Sequence, residues 1–135
     1  TFASFILMAQ SIELLGAFLD NKPVKARGQS RDRFSNALHQ LFEGRYSRCN
    51  EGFFLYNTYR NQLVHAFYPS EYLILLAKPE NKLTHLGKSD KKLVICADIL
   101  LKDISLAVEK IVKGIEIGQI KNKNLPQFLE FSSPL

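Results

Sequence analysis

Arg60-Asn61-Gln62-Leu63-Val64-His65 places a guanidinium, a carboxamide and an imidazole within one short stretch of chain. Those groups suffice for phosphodiester chemistry without a metal. An imidazole titrates near neutrality and can pass a proton to or from a ribose hydroxyl. A guanidinium can hold two phosphate oxygens and stabilise the charge that develops in a transition state. In RNA the neighbouring 2′-hydroxyl is the nucleophile, so no metal-activated water is needed. On this reading Arg60 holds the phosphate, His65 moves the proton and Asn61 orients one or both. Each also has a purely structural alternative. His65 would then cap or hydrogen-bond near a helix C-terminus, where its charged form suits the dipole. Arg60 would lay its stem along Tyr56 and Phe67 and pair its head with a carboxylate.

Helix geometry adds a condition. Five residues at about 100° each leave Arg60 and His65 roughly 140° apart around a helix axis. Asn61 and His65 do share a face, together with Phe54 and Thr58. A symmetric dimer that pairs two such helices would bring both sets together. Spacing alone carries little, because Arg33 and His39 repeat it with five residues between them. Those two are read as surface residues of an amphipathic helix. The context of Asn61, Leu63-Val64 and Phe67 is what sets the Arg60 segment apart.

The elements that must position this segment are mainly helical. Phe2, Phe5, Ala9, Ile12, Gly16 and Leu19 recur at helical steps and predict a first helix over residues 2 to 19, stopped by Asp20-Asn21-Lys22-Pro23. Ser30 is the expected N-cap of a second helix with the stripe Phe34, Ala37, Leu38, Leu41 and Phe42, ending at Gly44. After a polar link over Arg45 to Asn50, a third helix is expected from Glu51 to Phe67, with Phe53, Tyr56, Arg60, Leu63, Val64 and Phe67 along one side, stopped by Pro69. Residues 71 to 87 combine the apolar run Tyr72 to Ala77, a Pro79-Glu80-Asn81 turn and the short segment Lys82 to Leu86. That pattern predicts a β-hairpin with His85 exposed on it. A last helix starting near Leu93 or Ala97 carries the stripe Ala97, Leu100, Leu101, Ile104, Ala107, Val108, Ile111, Val112 and Ile115, with Gly118 as its stop. The expected domain covers residues 1 to 118. Residues 119 to 135 read as a C-terminal tail able to dock through Leu125, Phe128, Leu129 and Phe131.

Composition fits one globular domain: 135 residues, 46% hydrophobic and 23% charged, enough for a single core without disulfides or metal. The formal net charge of +5 tilts the chain toward phosphates. Lys25, Arg27, Arg31 and Arg33 cluster where the first loop meets the second helix and are the candidate RNA-binding residues; Arg45 and Arg48 follow. The lone Cys49 and Cys96 show no zinc spacing and read as reduced thiols of a cytoplasmic protein. No apolar run approaches a membrane span, and no membrane partner is expected. Paired catalytic carboxylates, phosphate-binding glycine loops and Ser/His/Asp patterns are absent, so no cofactor and no metal are expected.

Arg60, Asn61 and His65, late in the third helix of a small helical domain, resemble the pattern of the HEPN superfamily. There an arginine, often followed by a polar residue, is separated from a histidine by four to six intervening residues. The resemblance is sharp over residues 60 to 67 and loose over 1 to 118. It implies a HEPN-like four-helix bundle with the hairpin inserted between helices 3 and 4, working as a homodimer. It further implies a metal-independent endoribonuclease of a toxin or defence system, with RNA as substrate and an antitoxin partner. Its non-catalytic members imply the alternative, a helical bundle that binds a protein or nucleotide through its dimer surface. Some toxin members carry tyrosine two residues after the histidine, where a partner nucleotidyltransferase modifies it; here that position is Phe67.

Overall fold

The computed structural model describes residues 2 to 123; the docking proposed for Leu125 to Phe131 lies outside them. The described chain is mainly helical with one small sheet. Helices α1 (Phe2–Ala17) and α2 (Ser30–Leu41) form the central pair, followed by a short α3 (Gly44–Cys49). A tight turn at Glu51–Phe53 leads into a helix over residues 54–66, whose middle, Tyr56–Asn61, is a wide π-type segment and whose end is α4 (Gln62–Ala66). Then come β1 (Leu73–Leu76), β2 (Lys88–Ser89), β3 (Lys92–Cys96) and the long α5 (Ala97–Glu116). The polar link expected over 45 to 50 is thus largely helical. Among the described residues no helix is long and apolar enough to cross a membrane.

The core takes much of the predicted stripes, but Phe67, Leu101, Val108 and Val112, expected on them, are exposed, and Tyr59, not expected there, is buried. Phe5, Ala9 and Ile12 of α1 meet Phe34, Ala37 and Leu38 of α2, with Tyr59, Leu63, Leu100, Ile104 and Ala107 around them, all buried. Gly16 sets how closely α1 and α2 can cross. A β-carbon there would lie 1.9 Å from the Arg33 carbonyl oxygen, so any larger residue would push the helices apart. At the far end Gly118, at φ 76°, closes α5 as expected, and the amides of Gln119 and Ile120 bond back to the Gly114 carbonyl. Packing continues beyond residue 118: Ile120 covers Gly114, and Lys123 reaches Asp20 at 2.8 Å.

The sheet differs from the expected hairpin. Its order is β1-β3-β2, with Leu73–Leu76 pairing in parallel with Leu93–Cys96 and Lys88–Ser89 pairing antiparallel to β3. Lys82 and Leu86 adopt positive φ, which breaks the extended conformation that a strand over 82 to 86 requires. The real hairpin joins β2 to β3 through Asp90-Lys91, both at positive φ, as the tightest hairpin turns demand. The sequence hides this turn because a lysine stands where glycine is usual. β3 is buried from Leu93 to Cys96, and that continuous apolar run suits a central strand flanked on both edges.

Candidate functional site

Arg60 sits where the wide turn of the third long helix faces α1. Its Nε lies 2.8 Å from Glu13 Oε1, its side chain is only 13% exposed, and its Cζ is 5.6 Å from the centre of the Tyr56 ring. The Nε–H is not aimed at the oxygen, so the contact is a charge pair and Nε lacks a hydrogen bond. Glu13 is the only charged residue of α1. Its Oε1 also accepts a bond from the Ser30 hydroxyl, and Ser30 Oγ accepts one from Tyr56 at 3.1 Å. Ser30 therefore serves this network and makes no N-cap bond; Gln29 occupies the cap position without a side-chain bond.

The other two members of the motif go elsewhere. Asn61 is half-buried at the end of the π-type segment, and His65 is exposed in the last turn of α4. A turn bonded i to i+5 holds more residues than an α-helical one. It therefore changes the phase of Arg60 and Asn61 relative to the residues before them. Within one chain the fold brings Arg60 to Glu13 and leaves His65 facing solvent beside two exposed aromatics, Phe67 and Tyr68. Phe67 holds a left-handed conformation at φ 54°, uncommon for a bulky residue.

The basic cluster divides. Lys25, Arg27 and Arg31 are exposed; Arg31 lies 4.4 Å from the centre of the Phe53 ring and 3.5 Å from Asp32. Arg33 is buried, which corrects both its surface reading and its place among the RNA-facing cations. Its guanidinium bonds Asp20 at 2.8 Å and the carbonyls of Val24 and Pro23 at 2.7 and 2.8 Å, tying the first loop to α2. Burial alone would raise the Asp20 pKa, but bonds from Arg33, Lys123 and the Lys22 amide hold its carboxyl well below the usual carboxylate range. His39 is exposed, as expected.

His85, expected on an exposed strand, is buried instead. Its Nδ1 accepts the Cys96 amide at 3.0 Å, which fixes the proton of the neutral ring on Nε2. Nε2–H therefore donates to the Tyr46 oxygen at 2.7 Å, and the Tyr46 hydroxyl donates to Asp103 Oδ2 at 2.6 Å. Burial lowers the His85 pKa against the opposing pull of Asp103, and burial with the Asp103 bond raises that of Tyr46. The chain of bonds locks α3, the 82–87 loop, β3 and α5 together. Nothing in the spacing of residues 46, 85 and 103 announced it. Glu13 gave a clearer signal, as a lone acid in an apolar helix.

Three surface cavities lie away from Arg60, Asn61 and His65. One, of about 570 Å³, runs between Phe42 and the end of α5; one, of about 690 Å³, lies between Leu7 and Leu101; one, of about 510 Å³, is walled by α3 and the sheet. The chain matches no protein-family model, no curated protein and no solved structure.

Proposed function

We propose that this chain is a HEPN-like helical domain that acts by binding, as a homodimer, with Arg60 in a structural role. The commitment of the Arg60 guanidinium to Glu13 and Tyr56 supports this reading. A phosphate would have to displace an anion already in place, and a mostly buried arginine has little reach toward substrate. The outer faces of α1 and α5 offer the dimer surface. Leu7 and Leu14 on α1 and Leu101 and Val108 on α5 are each one heptad apart and exposed, and Leu7 and Leu101 line one cavity. Such paired apolar residues suit a self-complementary two-fold contact.

A second reading, the metal-independent endoribonuclease, is favoured by the accessible His65 imidazole beside exposed Phe67 and Tyr68. There His65 would transfer the proton, Asn61 would orient it and the partner subunit would complete the site. One experiment separates the two. Diverse single-stranded RNAs are incubated in EDTA with wild type, His65→Ala and Arg60→Ala. The binding reading expects no cleavage that distinguishes wild type from His65→Ala. Cleavage lost in both variants, with each still folded, would establish the enzyme instead.

A further inference from the structure

Strand β1 is an open edge of the sheet, paired on one side only, in parallel with β3. The Leu93 amide donates to the Tyr72 carbonyl, so the alternate residues Ile74 and Leu76 turn their backbone groups to β3. Leu75 turns its N–H and C=O the other way, and no bond among the described residues reaches either. Neither charge, proline nor bulge within Leu73–Leu76 blunts this edge. Beside it lies the cavity of about 690 Å³, walled by Phe5 and Met8 of α1, by Leu75 and Ala77, and by Leu101 of α5. Leu73 and Leu75 face the core with Leu93 and Ile95. The cavity therefore lies on the face where a fourth strand would send every second side chain. Asp98 is the only charged residue lining it; it is exposed and, among the described residues, forms no ion pair.

We propose that β1 and this cavity take up an extended peptide segment of a partner protein as a fourth strand. The segment's backbone bonds the Leu75 N–H and C=O, its apolar side chains at alternate positions enter the cavity, and a lysine or arginine meets Asp98. In strand addition the main-chain bonds supply affinity and the side-chain pockets supply selectivity. The cavity falls within the range of about 300–1,000 Å³ typical of ligand pockets. Charge complementarity selects the partner: apolar walls with one free carboxylate accept an apolar, positively charged segment and repel an acidic one. This use of the strand edge goes beyond the dimer contact proposed above. Leu7 and Leu101 border both surfaces, whereas the Leu75 backbone belongs to the edge alone.

The probe is a fluorescein-labelled peptide in which phenylalanine and leucine alternate with threonine and one end carries lysine. Its binding to the full chain is followed by anisotropy, and exchange of the Leu75 amide hydrogen by NMR. The peptide should bind, and at about ten times the dissociation constant the Leu75 amide should exchange roughly tenfold more slowly. N-methylation of the peptide amides that face β1 should weaken binding about tenfold or more, through loss of backbone bonds. Asp98→Lys, an exposed change, should weaken it roughly threefold or more, and a peptide with glutamate in place of lysine should recover it. Four results would overturn the proposal: no binding up to about 1 mM peptide, equal binding of the N-methylated peptide, binding unchanged by Asp98→Lys, or slow Leu75 exchange in the chain alone. In the last case, slowing that grows with protein concentration assigns the edge to a second copy. Slowing independent of concentration assigns it to the chain's own residues.

Discussion

Replacing Tyr46 with phenylalanine removes a single oxygen that joins two buried bonds. His85 Nε2–H then loses its acceptor, 2.7 Å away, and Asp103 loses its donor, 2.6 Å away. A buried donor left unpaired costs about 1–3 kcal/mol, and a hydrogen bond to a charged group is worth about 1.5–3 kcal/mol. Asp103 is half-buried and can recover part of its loss from water. The expected destabilisation is therefore about 2–4 kcal/mol, a large share of the total of roughly 5–15 kcal/mol for a domain. With a urea slope of about 1.5 kcal/mol per molar, the unfolding midpoint should fall by roughly 1.5–2.5 M with the slope unchanged. Tyr59→Phe is the internal control. Its hydroxyl donates to the Phe5 carbonyl at 2.6 Å, a neutral bond worth about 1 kcal/mol. If the Tyr46 variant moves the midpoint no more than the Tyr59 variant, the relay through His85 does not hold the fold together.

Acidification should weaken the fold through His85. Its folded pKa lies below the ordinary histidine value, so between those two values the unfolded chain binds a proton that the folded chain refuses. Stability is then fully present above about pH 6.5 and declines as the pH falls below it. Melting temperatures from pH 8 to pH 5 should show this decline in wild type and a shallower one in His85→Asn. Gly16→Ala should destabilise by about 2 kcal/mol or more, although helix propensity alone predicts a gain of about 1 kcal/mol. A raised melting temperature would show that α1 and α2 can separate cheaply. Glu13→Gln leaves the Arg60 charge without its partner and should cost about 1–3 kcal/mol in urea unfolding. An unchanged midpoint would mean that Arg60 is free to serve a ligand.

What the residues determined alone is the helical frame. The stripes Phe5-Ala9-Ile12, Phe34-Ala37-Leu38 and Leu100-Ile104-Ala107 bury as their period requires, and Gly118 ends α5. Burial of one helix face is written locally, every three or four residues, so a linear reading recovers it. Pairing across the chain is not. The run Leu73 to Leu76 could take any extended partner, and it chose Leu93 to Cys96 because a buried strand needs an apolar neighbour on its open edge. The motif followed the same rule. Sequence supplied Arg60, Asn61 and His65, but a wide helical turn and one carboxylate on α1 decided that Arg60 turns inward while His65 stays in water. His85 and Arg33 went the other way, from expected surface to interior, because each found bonding partners from distant segments that make burial of a polar group tolerable. Local periodicity fixes which faces are apolar. Only the tertiary structure settles where a charged or polar side chain can satisfy its bonds, since those partners lie beyond any local repeat, from 9 residues away for Val24 and Arg33 to 39 for Tyr46 and His85.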